Sequence, residues 1–216
     1  MLTSFISSLL LSTALVSNSP LIQGDKIVEP VVVYIDTGIG ERAVEELRKD
    51  LNTAVKTGQN IIPIVVSSYG GSVYALLEMI DEIDNIRKTN PGIKIATIVT
   101  GKAMSAGAVL LTCGDEGLRF AAPNATIMIH DVASSSGGKV SDLKNDAAEA
   151  DRLNETIFSR MEKNIGKEKG YLSSIVHLKG HTDWFMGPEE ALTHNIINKI
   201  GNPSLKVEIN VTLRLE

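Results

Sequence analysis

The sequence predicts a single α/β domain built on a largely parallel sheet. From Val28 onward, short apolar runs of strand length alternate with stretches of helical periodicity, the pattern of repeated β-α units. The chain has 216 residues, 43% of them apolar and 4% aromatic, which supplies one sizeable core, and no internal repeat or linker divides it.

The elements follow in order. Val31 to Ile35 reads as a buried strand, and Glu41 to Lys56 as an amphipathic helix, with Val44, Leu47, Leu51 and Val55 spaced by three and four. Ile61 to Ser67 is a second strand. It runs through Tyr69-Gly70-Gly71 into a helix from Ser72 to Arg87 that buries Val73, Leu76, Leu77, Ile80 and Ile83, and Asn90-Pro91-Gly92 then breaks the chain. Ile93 to Thr100 is predicted as strand, Gly101 to Met104 as a tight turn, and Ser105 to Leu111 as the start of an apolar helix. Ala125 to His130 is a further strand. The Ser- and Gly-rich stretch Val132 to Lys139 reads as loop, followed by a long helix from Ser141 with Leu143, Ala147, Ala150, Leu153, Ile157 and Met161 facing inward. Pro188 suits the first turn of a short helix through Thr193, where its missing N–H costs nothing. In the tail, Leu205, Val207, Ile209, Val211, Leu213 and Leu215 alternate with polar residues, so 203–216 is expected as an added C-terminal strand.

Composition narrows the function. A net charge of −5 without any dense Lys/Arg run argues against a nucleic-acid partner. One cysteine, Cys113, excludes an intrachain disulfide framework and suits a reducing compartment, so a cytoplasmic location is expected. Phe5 to Val16 is apolar, but it is too short and too rich in Ser and Thr to span a bilayer, no Lys or Arg precedes Lys26, and no A-x-A pattern follows. Residues 1–25 are therefore expected to be a docking helix or removable propeptide in preference to a secretory signal, with no membrane partner.

Two turns between strand and helix are rich in Gly and small residues, Tyr69-Gly70-Gly71-Ser72 and Gly101-Lys102-Ala103-Met104-Ser105-Ala106-Gly107-Ala108. Such turns leave N–H groups unpaired at a helix N-terminus, which is what an oxyanion hole requires. Ser105 there reads first as an N-cap and second as a nucleophile. A nucleophilic serine needs a histidine base, and the base needs a carboxylate to hold its tautomer. His130 ends an apolar strand, where sites form in sheets with crossover helices, although a capped core histidine fits the position nearly as well. His177 and His181 form an i, i+4 pair with zinc-ligand spacing, but the metalloprotease Glu is absent and Gly180 weakens a helix, so no metal is expected. Cys113 reads as a small buried side chain, and no Walker-type phosphate loop occurs, so no cofactor is expected.

Gly70-Gly71-Ser72-Val73, Gly101 to Ala108, Arg119-Phe-Ala-Ala-Pro123-Asn124-Ala-Thr-Ile-Met-Ile-His130 and Asp183-Trp-Phe-Met-Gly-Pro-Glu-Glu-Ala191 resemble, in one order, the consecutive signatures of the Clp-protease proteolytic subunit. The resemblance runs from about Val31 to Ile200. It implies a crotonase-like β-α spiral in which Ser141 to Ile165 forms a protruding handle helix, within a catalytic domain expected over 26–202. It implies Ser105 as nucleophile, His130 as general base, Asp183 as the orienting carboxylate, and the N–H groups of Gly71 and Ala106 as oxyanion donors. Gly70, Ser134 and Ser135 are implied to bind substrate. The implied protein is a serine endopeptidase acting on peptides or unfolded proteins inside a homo-oligomeric chamber of heptameric rings, with an AAA+ unfoldase as partner.

The chain departs from the family at several points. Asp131 to Ser136 stands where the family carries Gln-Pro before paired glycines, in the segment that pairs with substrate. His181-Thr182 stands where an acidic residue and an arginine commonly lock ring to ring, which leaves single and double rings both open. Tyr69 replaces a proline, and the N-terminal region matches the axial loops poorly. Three alternatives remain beside the peptidase: a non-catalytic subunit of a mixed ring, a phage capsid-maturation protease of the same fold, and an acyl-CoA enzyme of the crotonase type, which has no need for the set Ser105, His130 and Asp183.

Overall fold

The computed structural model describes residues 22–23, 26–27, 29–135 and 137–204. Two short strands, β1 (Ile22–Gln23) and β2 (Lys26–Ile27), pair antiparallel. The remaining elements are β3 (Val33–Ile35), α1 (Glu41–Thr57), β4 (Ile61–Ser68), α2 (Val73–Thr89), β5 (Lys94–Met104), α3 (Ala106–Thr112), β6 (Arg119–Ala121), β7 (Thr126–Ile129), α4 (Val140–Asn164), α5 (Tyr171–Leu178), β8 (Trp184–Met186), α6 (Pro188–Thr193) and β9 (Lys199–Ile200). The rest of the predicted N-terminal segment and the predicted strand over 205–216 lie outside the described residues.

The predicted α/β class is what the chain adopts. A seven-stranded sheet runs β3-β4-β5-β6-β9, with β7 on β5 and β8 on β7, and every pairing in it is parallel except β7 with β8. The apolar stripes foreseen on α1 and α2 bury Val44, Leu47 and Leu51 of one helix and Leu76, Ile80 and Ile83 of the other, where Met79 joins them. They share a core with Ile62, Ile64 and Val66 of β4 and with Ile95 and Val99 of β5. Each such side chain withdrawn from water contributes about 1.5–3 kcal/mol, which offsets the conformational entropy of ordering the chain.

One prediction fails where the sheet divides. Gly101 to Met104 is not a tight turn but the continuation of β5. Residues 97–99 of β5 pair with β6, and residues 102–104 pair with β7. Between these pairings Gly101 takes φ +79, a backbone conformation that costs little only without a Cβ, so the strand bends and changes partners without ending. A glycine inside a strand of this length marks a bend rather than a stop.

A second departure concerns α4. Leu153, Phe158 and Met161 are buried, but Leu143 and Ala147, predicted to face inward, are exposed. Residues 141–148 of α4 are exposed, so the apolar periodicity of this stretch meets no core. Further along α4, both Arg160 guanidinium Nη atoms reach Asp84 of α2 at 2.7 Å.

Arg119 on β6 is completely buried. Its guanidinium donates to the carbonyls of Gly114, Asn164, Asn195 and Ile196 and to Glu116. The N–H donors of this planar fork thus satisfy carbonyls at or just beyond the ends of α3, α4 and α6, which an apolar residue of the same size would leave unpaired.

Candidate active site

Strand register brings the three distant residues together. Met104 at the end of β5 lies opposite Met128 of β7, so Ser105 and His130 leave the carboxyl ends of adjacent parallel strands. Ile129 lies opposite Trp184 across the antiparallel pair, which sets Asp183 beside His130. His130 Nε2 and Ser105 Oγ are 2.8 Å apart, a hydrogen-bond distance. His130 Nδ1 and Asp183 Oδ1 are 3.3 Å apart, a contact longer than a tightened charge-assisted bond. The His130 side chain is 22% exposed and that of Asp183 50%.

Ser105 stands immediately before α3 with φ 53 and ψ −123, a conformation non-glycine residues rarely hold. Such strain typically costs about 1–3 kcal/mol and persists only where the surroundings enforce it. Its N–H donates to Met128 O at 2.9 Å, and its carbonyl accepts from Ala108 and Val109 at the start of α3. The hydroxyl makes no capping bond to the helix. The N-cap reading of this serine therefore fails on geometry, since the hydroxyl meets His130 and makes no bond to the first-turn N–H groups.

Gly71 and Ala106 both border the pocket that holds Ser105 and His130. Among the described residues neither backbone N–H has an acceptor, so both are free to donate to a group in that pocket. Gly70 behaves differently. Its N–H donates to Ser68 Oγ at 3.1 Å and its carbonyl accepts from Ile39 at 2.9 Å, so its backbone polar groups are engaged within the chain. A Cβ at Gly70 would stand 2.8 Å from Ser105 Cβ, which makes Gly70 a spacer that admits the serine. Ser134 lies along an exposed cleft between the β7–α4 connection and the start of α2, while Ser135 is exposed outside it.

Apolar side chains of α2, α3 and α4 wall the pocket, namely Val73, Leu76, Val109, Ile157, Phe158 and Met161. Asn154 of α4 accepts the Val132 N–H at 2.6 Å and pins the segment after His130 against this wall. Sequence reasoning missed Asn154; its signal was only a polar residue one position from the buried Leu153. It also missed the 2.6 Å contact between Asp131 and His181 Nδ1 beside the triad. Of the other histidines, His194 bonds the Tyr171 hydroxyl through Nδ1 and meets the Trp184 ring edge-on, and burial pushes its pKa down. No helix among the described residues is long and apolar enough to cross a membrane.

Serine Oγ on imidazole Nε2, a carboxylate on Nδ1 and two unpaired N–H donors around one pocket can together carry out nucleophilic acyl transfer. A family model described as Clp protease matches residues 23–204. Among curated proteins, the chain is 34% identical over 139 residues to the ATP-dependent Clp protease proteolytic subunit of Deinococcus radiodurans, an alignment covering 64% of this chain and 64% of that relative's length.

Proposed function

The chain belongs to the Clp protease family, and from that premise we propose that it is a serine endopeptidase with Ser105, His130 and Asp183 as its catalytic triad. The single observation that carries this reading is the 2.8 Å approach of His130 Nε2 to a strained Ser105 with a carboxylate on the far side of the ring. His130 accepts the hydroxyl proton as Ser105 Oγ attacks a peptide carbonyl, and returns it to the leaving amine. Asp183 holds the Nδ1–H tautomer and stabilises the imidazolium; the 3.3 Å contact shortens as charge develops on the ring. The oxyanion is held by the N–H groups of Gly71 and Ala106, and loss of one such donor typically costs about 3 kcal/mol of transition-state stabilisation. Water then enters, deprotonated by the same imidazole, and releases the acyl group.

The apolar wall of the pocket supports cleavage after apolar side chains. Extended substrate lies along residues 131–135, with Ser134 and Ser135 beside it. The catalytic domain spans 26–202 and assembles into a heptameric ring through copies of itself. The exposed half of α4 is the handle by which a second ring would join, and an AAA+ unfoldase feeds unfolded chains to the cytoplasmic chamber.

Labelling the assembled protein with a fluorophosphonate tests the reading. Wild-type protein is expected to be labelled on Ser105, and the label is expected to be lost in Ser105→Ala and His130→Ala. Assembled wild-type protein that takes no label would overturn the peptidase reading in favour of a non-catalytic ring subunit.

A further inference from the structure

Beyond the triad, the structure gathers a second constellation that the peptidase chemistry does not use. His177 is on the last turn of α5, and Gly180 and His181 follow in a left-handed reversal. Gly180 N–H donates to His177 O at 2.9 Å and His181 N–H to Val176 O at 3.0 Å, which closes the helix end. His181 holds φ +57 without being glycine. This reversal brings the two imidazoles to a centroid distance of 4.3 Å, tilted by 37°. Asp131, partly buried on the segment leaving β7, completes the group: its Oδ2 is 2.6 Å from His181 Nδ1. One ligand atom from each of Asp131, His177 and His181 lies within 4.8 Å of the others.

We propose that Asp131, His177 and His181 bind a zinc-class divalent cation. Two imidazoles and one carboxylate are the donor set that zinc takes with an open fourth position for water, whereas calcium and magnesium prefer all-oxygen surroundings. Ligand atoms around tetrahedral zinc, at bonds of about 2.0–2.2 Å, stand roughly 3.3 Å apart. Reaching that value takes rotamer changes of the two exposed imidazoles: the 2.6 Å Asp131–His181 pair must open by about 0.7 Å, while separations of up to 4.8 Å close, and the proton between His181 and Asp131 leaves when both atoms bond the ion. No metal was expected here from the sequence, because the metalloprotease Glu is absent and Gly180 weakens a helix. The third ligand lies 50 residues from His181 and is contributed by the fold. A bound ion clasps the segment leaving β7 to the segment entering β8. The inference does not rest on the peptidase reading.

Titration of Zn2+ and of Co2+ into untagged, chelator-stripped full-length protein tests it, with the Ser105→Ala variant run in parallel. One ion per chain with micromolar or tighter affinity is expected, together with the visible absorption of tetrahedral cobalt and undiminished binding in Ser105→Ala. His177→Gln, His181→Asn and Asp131→Asn are each expected to weaken binding at least tenfold. Asn is chosen at 181 because it tolerates the left-handed backbone. The melting temperature is expected to rise by roughly 5 °C or more at ~100 times the Kd. Absence of saturable binding at 100 µM (~100 times a micromolar Kd), affinity unchanged in the three variants, or equal affinity for Mg2+ would each overturn the proposal. Fluorophosphonate labelling of Ser105, measured on the same samples, reports on the peptidase reading separately.

Discussion

Replacing Gly70 by alanine tests whether close approach of two chain segments sets the position of Ser105. The new Cβ would lie 2.8 Å from Met104 O, 2.8 Å from Ser105 Cβ and 3.1 Å from Ala106 N. Ordinary contact begins at about 3.4 Å, so Ser105 and its neighbours must retreat by roughly 0.6 Å. Two of the three atoms are backbone, and the third is attached directly to it, so no flexible side chain can absorb the movement. The φ of +98 adds about 1–2 kcal/mol for a residue with a Cβ. A destabilisation of about 2–3 kcal/mol is expected from the two effects together. Because a misplacement near 1 Å can cost 100-fold in rate, the fluorophosphonate labelling rate of Ser105 is expected to fall about 10- to 100-fold. Gly92→Ala is the control: nothing lies within 4 Å of its Cβ, and its effect on labelling and on thermal unfolding is expected to be within about 0.5 kcal/mol. Labelling of Gly70→Ala at the wild-type rate, in protein shown to be folded, would refute the spacer argument.

Two further outcomes can be checked on the folded chain. Burial pushes the Asp84 carboxyl upward, but the guanidiniums of Arg160 and Arg87 outweigh it and hold its pKa below the ordinary aspartate value of 3.8. A depressed carboxylate contributes stability above the unfolded-state value and loses it as pH falls through the folded-state value. Asp84→Asn is therefore expected to cost about 1 kcal/mol at pH 7, discounted for the exposure of the pair, with the gap to wild type closing below about pH 4 in urea titrations. Burial raises the Cys113 thiol to about 11. At pH 8 its alkylation by iodoacetamide is expected to be at least about 200-fold slower in the native protein than in denaturant, followed by mass spectrometry.

Helices α1 and α2 were legible because apolar residues spaced by three and four must lie on one face, whatever that face meets. Strands β3, β4 and β7 were legible as apolar runs bounded by turn residues. The short strands β6, β8 and β9 have two or three residues each, too few for any periodicity, and exist only because a neighbouring strand supplies their hydrogen bonds. Helix α5 was missed for a related reason: its N-terminus is capped at a distance by Glu162 of α4, whose carboxylate accepts the N–H groups of Gly170 and Leu172. Arg119 carried no local sign of burial, because the carbonyls that satisfy it come from residues 114 to 196.

By itself the sequence determined the α/β class, the order of the main elements and the residue types able to carry acyl transfer, since these depend on periodicity and side-chain chemistry within a few positions. Only the tertiary structure decided that β5 bends at Gly101 and continues, that the Ser105 hydroxyl turns to His130 instead of capping α3, and that Asp131 joins His177 and His181. Each of these depends on which strands become neighbours and in what register, and register is an agreement between distant segments that no single stretch of chain contains.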